Sequence, residues 1–159
     1  MSVWIKRAMF VLVAAALAIA TVPNQADAQM GADAIKARKA LMKSNGKNIR
    51  VVVGFVKKGM GTTADVAASA RNIASALAAF PNNFPKGTAQ GSGAGDTRAK
   101  AEIWQSWSKF VGGAANVSKL ALDLSLAAET DDKGAIGGAL GAMGKGCGGC
   151  HKAFRGPKN

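Results

Sequence analysis

The sequence predicts an all-α domain, an antiparallel four-helix bundle, on the strength of three observations. Apolar side chains recur at intervals of three and four residues over long stretches, alanine and leucine are abundant, and no stretch alternates in the manner of a β-strand. The breaks between the helical stretches are short, apart from one connection rich in proline and glycine, and short breaks favour antiparallel neighbours. Orthogonal packing of the helices is the alternative arrangement.

The N-terminus has the layout of a secretory signal peptide. Lys6 and Arg7 precede an apolar run over residues 8–22, and a small-residue sequence that ends at Ala28 follows it. At about fifteen residues, the run is shorter than the roughly twenty that a helix needs to cross a bilayer. We therefore expect cleavage after Ala28 and a periplasmic protein, with an uncleaved N-terminal membrane anchor as the alternative.

Residues 29–159, which remain after residues 1–28 are removed, suit one domain with one core. The chain is strongly basic, with 21 Lys and Arg, 9 Asp and Glu and a formal charge of +12. Its basic residues are scattered singly along the helical stretches, and this pattern together with export argues against nucleic acid as a partner. We expect an acidic redox partner protein or an anionic membrane surface, unless the charge serves only solubility.

The first two helices are delimited by glycine, threonine and proline. The first is predicted over residues 32–57, and Gly59 and Gly61 end it. The second begins near Thr62 or Thr63 as N-cap and ends at Pro81. The apolar stripe of the first helix consists of Ile35, Met42, Ile49, Val52, Val53 and Val56.

Two further helices follow a loop that is predicted over residues 81–97, where Pro, Gly, Asn and Ser predominate. The third helix is predicted over residues 98–129, with a bend at Gly112-Gly113. Its interior side chains are Ile103, Trp107, Phe110, Val117, Leu120, Leu124 and Ala127. The fourth helix, residues 133–154, is rich in glycine and has a poor intrinsic propensity, so another interaction must stabilise it.

The strongest motif in the chain is Cys147-Gly148-Gly149-Cys150-His151, the C-x-x-C-H sequence of haem attachment. On a helix the two thiols share one face, where they can form thioethers with the two vinyl groups of one porphyrin. His151 then presents its imidazole to the iron as the proximal ligand. The chain contains two cysteines and one histidine, and all three fall within these five positions.

A C-x-x-C sequence has three other possible uses: a structural disulfide, a thioredoxin-like redox pair and half of a zinc site. Zinc requires a fourth ligand and usually a second Cys/His pair, which this chain lacks. A redox C-x-x-C normally follows a strand, and none is predicted before Cys147. The sequence therefore predicts one covalently bound haem c with its iron, and we expect the haem to stabilise the fourth helix.

The residues around the motif resemble the class II cytochromes c, the cytochrome c′ group, whose pattern is C-x-x-C-H-x-x-aromatic-Arg. Phe154 and Arg155 supply the last two positions. The resemblance extends over three further segments: residues 35–43, Phe84-Pro85-Lys86-Gly87 and Glu102-Ile103-Trp104. It implies a left-handed four-helix bundle with the haem between the helices, often assembled as a homodimer through the first two.

The resemblance also implies roles for three residues. The side chain opposite the proximal histidine comes from the first helix, and alignment of the Arg38-x-x-x-Met42 segment puts Met42 there. Most members of the group carry a bulky apolar residue and have five-coordinate iron, whereas a low-spin branch ligates a methionine. We expect Met42 to be the distal ligand, with an unligated core methionine as the alternative.

Arg155 is expected beside the proximal histidine and a haem edge, or else as a solvated cation at the helix C-terminus. Arg38 is expected near a haem propionate, or else on a solvated helix face.

Two functions follow from the two states of Met42. With Met42 bonded to iron, the protein is an electron carrier, which is the function we expect from the sequence. With an open distal site, it is a five-coordinate protein that binds nitric oxide or carbon monoxide in an apolar pocket. A haem enzyme such as a peroxidase is disfavoured, because it needs a distal acid or base and the lone histidine is already committed.

Overall fold

The structure is a computed structural model that describes residues 25–158, and its helices form the predicted all-α, four-helix bundle. Its helices are α1 (Gln25–Lys58), α2 (Thr63–Ala79), α3 (Glu102–Gln105), α4 (Trp107–Glu129) and α5 (Lys133–Phe154). The signal-peptide prediction falls mainly on residues outside the described range, while Ala28 lies in the first turn of α1. No helix within residues 25–158 is both long enough and apolar enough to span a membrane.

The four long helices run alternately up and down. The Ser118 hydroxyl of α4 donates to the Ala74 carbonyl of α2 at 2.8 Å, and Thr63 at the start of α2 donates to Asp131 beyond the end of α4. These pairs make α2 and α4 antiparallel. Helix α5 is antiparallel to α4, because Gly113 lies next to Cys150 whereas Val117 lies next to Gly146. It follows that α5 is also antiparallel to α1.

The end of α1 and the start of α2 confirm the predicted boundary signals. Helix α1 ends at Lys58, and both Gly59 and Gly61 adopt positive φ angles of 65° and 79° in the turn that follows. Thr62 is the N-cap of α2 and forms a capping box with Asp65. Hydrogen bonds from Thr62 lower the pKa of the Asp65 carboxyl. Two glycines on one side and the capping side chains on the other therefore fix this turn, and both signals are visible in the sequence.

Two helix boundaries differ from those predicted. Helix α1 starts at Gln25, whereas the sequence pattern placed its start at residue 32. The third predicted helix starts late, because residues 97–100 are bound to other segments. The Arg98 carbonyl accepts a hydrogen bond from the Gly156 amide at 2.7 Å, and the Ala99 carbonyl accepts one from Gln90 at 2.7 Å. Pairing with the chain end thus keeps this stretch out of the helix.

The interruption in the third predicted helix lies at Ser106. Ser106 has φ −123° and ψ 45°, which separates α3 from α4, whereas α4 continues as one helix through Gly112-Gly113 over residues 107–129. The prediction that Trp107 is interior is wrong. Trp107 is 40% exposed, because it starts α4 immediately after the break.

The core lies between the long helices, and an aromatic cluster occupies the end of the bundle near residue 154. The rings of Phe84 and Phe110 are 4.6 Å apart, and Phe154 of α5 meets Phe110 edge to face at 5.4 Å. Most of the remaining core is aliphatic: Val52, Val66, Ile73, Leu77, Ile103, Val117, Leu124, Ile136 and Met143. The cluster borders a cavity, which is the candidate site.

Candidate haem-binding site

A cavity of about 510 Å³ lies among α1, α2, α4 and α5. This volume is within the roughly 300–1,000 Å³ that ligand and cofactor pockets usually have. Most of its wall is apolar and comes from the four long helices, the short helix α3 and residues 80–84: Met42, Ile49, Ile73, Leu77, Phe80, Phe84, Ile103, Phe110, Ala114, Val117 and Phe154. Such a wall suits a large, flat and mostly apolar group.

The α5 wall of this cavity contains the whole attachment motif. Cys147, Cys150 and His151 all line the cavity and are all half-buried. Burial raises the pKa of both thiols. Gly113 of α4 lies next to the motif, since its Cβ position is 3.9 Å from Cys150 Sγ. The helical spacing therefore places both sulfurs at one cavity face, as predicted.

His151 is held in an environment that favours its neutral form. Burial lowers the pKa of the imidazole, and the positive charges of Arg155 and Arg98 lower it further. A neutral imidazole is the form that binds a metal ion. The electrostatics of this position thus match the predicted role of His151 as an iron ligand.

Met42 lies on the opposite wall at the height of His151. Antiparallel α1 and α5 touch where Val56 Cγ1 lies 3.8 Å from the Cβ position of Gly137. The number of residues from Gly137 to His151 equals the number from Met42 to Val56, and both helices rise about 1.5 Å per residue. Met42 also lines the cavity. The helix register therefore sets Met42 across the cavity from His151.

The α1 wall continues past Met42 with Asn45, Gly46 and Ile49. Asn45 is buried, and its Oδ1 atom has no hydrogen-bond partner among the described residues. Gly46 has no side chain, so the cavity wall one helical turn after Met42 is formed by backbone alone. Asn45 is not among the residues predicted from sequence, although its position three residues after Met42 puts it on the same helix face.

Arg38 is buried rather than solvated, which rules out the exposed-face alternative. It is 4% exposed, lines the cavity and donates to Thr88 Oγ1 at 2.9 Å and to Thr97 Oγ1 at 2.7 Å. It also donates to the Thr88 carbonyl, and its guanidinium lies 4.6 Å from the centre of the Phe84 ring. Burial lowers the pKa of Arg38 to about 10. Arg38 thus fastens the 84–97 loop to α1.

A basic rim, formed by Arg38, Lys39, Arg98 and Arg155, borders the cavity. Within the described chain Asp96 is the acidic residue of the cavity wall, and Lys39 pairs with it at 2.7 Å. Arg155 follows the end of α5 in extended conformation and does not continue the helix, but it lines the cavity as expected. Arg98 was missed because its role depends on the chain end, where its Nε donates to the Gly156 carbonyl at 2.7 Å.

Gly146 allows α5 to approach α4 closely next to the motif. A Cβ at Gly146 would lie 3.0 Å from Leu120 Cδ1 and 3.2 Å from Val117 Cγ2. We expect Gly146→Leu to lower the free energy of unfolding of the haem-loaded protein by about 1–3 kcal/mol through overpacking. The matched control is Gly144→Leu, where no described atom lies within 4 Å; it should raise stability by about 0.5–1 kcal/mol through helix propensity. Urea denaturation measures both, and equal effects would contradict the close approach.

A four-helix bundle whose last helix presents C-x-x-C-H to an internal cavity defines a class of protein, the class II c-type cytochromes. The comparison with known families agrees, since the family model described as Cytochrome C′ matches residues 33–155. The chain therefore belongs to the cytochrome c′ family. Members of this family are electron-transfer and gas-binding haem proteins and not enzymes, and their cofactor is one covalently attached haem c with its iron.

Individual relatives support the same assignment. The chain is 36% identical over 150 residues to the cytochrome c′ of Rhodospirillum rubrum, covering 94% of this chain and 98% of that one. The structure of cytochrome c prime from Shewanella frigidimarina is similar, with a TM-score of 0.70, 29% identity and coverage of 80% of this chain and 97% of that one. A cytochrome c′ with an unusual ligand-controlled dimer dissociation matches with a TM-score of 0.73, 25% identity and the same coverage.

The residues on the cavity wall fit haem c. Two thiols three residues apart on one helix face match the attachment chemistry, and the adjacent imidazole supplies an iron ligand. The apolar wall suits the porphyrin, and the basic rim supplies donors for its propionate carboxylates. The orphaned Asn45 oxygen is a further sign that this cavity holds a group with hydrogen-bonding atoms.

Proposed function

We propose that this protein is an exported, periplasmic cytochrome c′ with five-coordinate iron that binds nitric oxide or carbon monoxide on the α1 side of the cavity. The observation that carries the proposal is the position of Gly46, which lines the cavity one helical turn after Met42 on the wall opposite His151 and has no side chain to fill the space there. A small ligand can occupy that space without displacing backbone. Export is supported by the signal-peptide layout at the N-terminus.

Each cavity wall has a separate task in this proposal. Cys147 and Cys150 would hold the cofactor, and His151, whose neutral form is favoured by burial and by two neighbouring arginines, would bind its iron. The bound haem supplies the iron that takes up the diatomic molecule. The apolar side chains admit small neutral molecules and disfavour anions, which would lose their hydration. Met42 packs at the entrance to the ligand space as a steric gate.

The relatives give this function independent support. A structurally similar cytochrome c′ is described as dissociating its dimer under ligand control, so ligand binding occurs in a protein of this fold at 25% identity. We extend the proposal to a homodimer through the outer faces of α1 and α2, where Val51 is 40% exposed. Sedimentation of the haem-loaded protein with and without carbon monoxide tests the dimer.

A second candidate is the electron carrier expected from the sequence, with Met42 bonded to the iron. The observation in its favour is the register of α1 and α5, which sets Met42 across the cavity from His151. A thioether is a soft, neutral ligand that suits haem iron and raises its reduction potential. The excess of basic residues would then recruit an acidic redox partner, with binding that weakens as salt rises.

The absorption spectrum of the oxidised, haem-loaded protein distinguishes the two candidates. Five-coordinate iron gives a high-spin spectrum, whereas a bonded methionine gives a methionine-to-iron charge-transfer band. We expect the high-spin spectrum. We also expect Met42→Ala to keep it and to speed carbon monoxide binding by about tenfold, because displacing a packed side chain costs about 1–3 kcal/mol and 1.4 kcal/mol is tenfold.

The control for this substitution is Met60→Ala, because Met60 is 60% exposed and lies outside the cavity wall. It should change neither the spectrum nor the rate. A charge-transfer band in the parent protein that disappears in Met42→Ala would overturn the five-coordinate assignment and establish the electron carrier.

A further inference from the structure

We propose that the Asn45 carboxamide is the hydrogen-bond donor to the diatomic ligand, an inference that rests on the proposed function. Asn45 is 6% exposed and lines the cavity, and its Oδ1 has no hydrogen-bond partner within residues 25–158. Leaving a buried amide without partners costs about 1–3 kcal/mol. A buried amide on a cavity wall whose oxygen finds no partner in the described chain is suited to bind what enters the cavity.

The other polar side chains of the α1 wall already have protein partners. Arg38 donates to Thr88 and Thr97, and Lys39 is paired with Asp96. Asn45 is therefore the polar group of this wall that remains available within the described chain. Since the surrounding side chains are apolar, its hydrogen bond would act in a water-poor space, where it is stronger than in water.

The position of Asn45 along α1 indicates which part of the cofactor site it faces. It lies three residues after Met42, about 4.5 Å further along the helix axis. The register of α1 and α5 sets it at the height of Gly148, within the C-x-x-C turn. Arg38, which belongs to the basic rim, lies on the other side of Met42 along the helix. Arg38 is a candidate donor for the propionates, and Asn45 lies on the opposite side of Met42. Asn45 is therefore placed to meet the diatomic ligand and not the propionates.

The chemistry of an amide suits this role. Rotation about χ2 exchanges the oxygen and the NH₂ group, so the same side chain can accept from one guest and donate to another. Bound carbon monoxide and nitric oxide are acceptors, and Nδ2 is the matching donor. A donor in a distal pocket stabilises a bound diatomic and shifts electron density from the iron onto it.

The test uses the ferrous carbon monoxide complex of the haem-loaded protein and compares Asn45→Leu with the parent. We expect the infrared C–O stretch to move to higher wavenumber and carbon monoxide to dissociate about threefold to tenfold faster, the equivalent of one net hydrogen bond. Asn45→Asp removes the donor while keeping the shape and should shift both values in the same direction. It also keeps the test decisive if the leucine variant loses haem.

Asn48→Leu is the matched control, because Asn48 lies on α1 three residues further along and outside the cavity wall. It should leave both values at those of the parent. Carbon monoxide binding with an unchanged C–O stretch and rate in both Asn45 variants would overturn this inference alone. Failure of the parent protein to bind carbon monoxide at all would overturn the proposed function, and this inference with it.

Discussion

Replacing both attachment cysteines, Cys147→Ala and Cys150→Ala, should leave a protein that gives up all its pigment to acidified organic solvent and that does not fold stably without it. The attachment site borders a cavity of about 510 Å³. A dry cavity costs about 24 cal/mol per Å³, so leaving this one empty would cost up to about 12 kcal/mol. That is as large as the whole free energy of unfolding of a typical domain, about 5–15 kcal/mol.

Helix α5 should lose its structure first in the double variant. It contains eight glycines: Gly134, Gly137, Gly138, Gly141, Gly144, Gly146, Gly148 and Gly149. Each glycine costs a helix about 1 kcal/mol relative to alanine, so α5 depends on packing against the cofactor and α4. Far-UV circular dichroism of the purified variant should show a loss of helix that the parent does not show.

The single variant Cys147→Ala is the control, because one thioether and His151 would still hold the cofactor. It should keep its pigment in acidified solvent and keep most of its helix. If the double variant retained pigment in that solvent, or kept the parent's helix content and thermal transition after losing it, covalent attachment to these sulfurs would not be what stabilises the bundle.

The parts of this protein that follow from local sequence were predicted well. The all-α four-helix class, the turn at Gly59 and Gly61 and the Thr62 N-cap each depend on residues close together in the chain. The attachment motif is equally local, since a helix places residues three apart on one face. The structure accordingly brings Cys147 and Cys150 to one cavity wall, as the spacing implied.

The features that sequence could not supply depend on distant segments. The late start of the third predicted helix results from hydrogen bonds between Arg98 and Gly156, which neither residue signals by itself. No glycine or proline lies at the break at Ser106, whereas Gly112 and Gly113 lie inside the continuous helix α4. Helical periodicity reports the local preference, and tertiary packing overrides it at these points.

The burial of Arg38 is the clearest case, because an arginine on a helix is normally solvated. Its burial depends on threonines some fifty residues away, which periodicity cannot reveal. The charge by itself disfavours burial, as the lowered pKa of about 10 shows, so the hydrogen bonds to the loop must offset that cost. The sequence predicted that Arg38 lies near a haem propionate, but it did not predict that Arg38 joins α1 to the 84–97 loop.

Arg38→Ala should therefore lower the free energy of unfolding of the haem-loaded protein by about 3 kcal/mol. The change removes charge-assisted hydrogen bonds to Thr88 and Thr97 and the contact with the Phe84 ring, and it leaves buried acceptors without donors. With a denaturant slope of about 1–3 kcal/mol per molar, the urea midpoint should fall by about 1–3 M. Limited proteolysis should cut the 84–97 loop faster.

Two further variants are the controls for this prediction. Arg38→Lys should recover little stability, because a single ammonium cannot reproduce the planar fork that reaches both threonines. Arg71→Ala should change stability by less than about 1 kcal/mol, because Arg71 forms an exposed ion pair with Glu129. If Arg38→Ala were as stable as Arg71→Ala, with an uncut loop, the loop would be held by its own turns. Arg38 would then serve the cofactor alone, through the cavity wall that it shares with Met42.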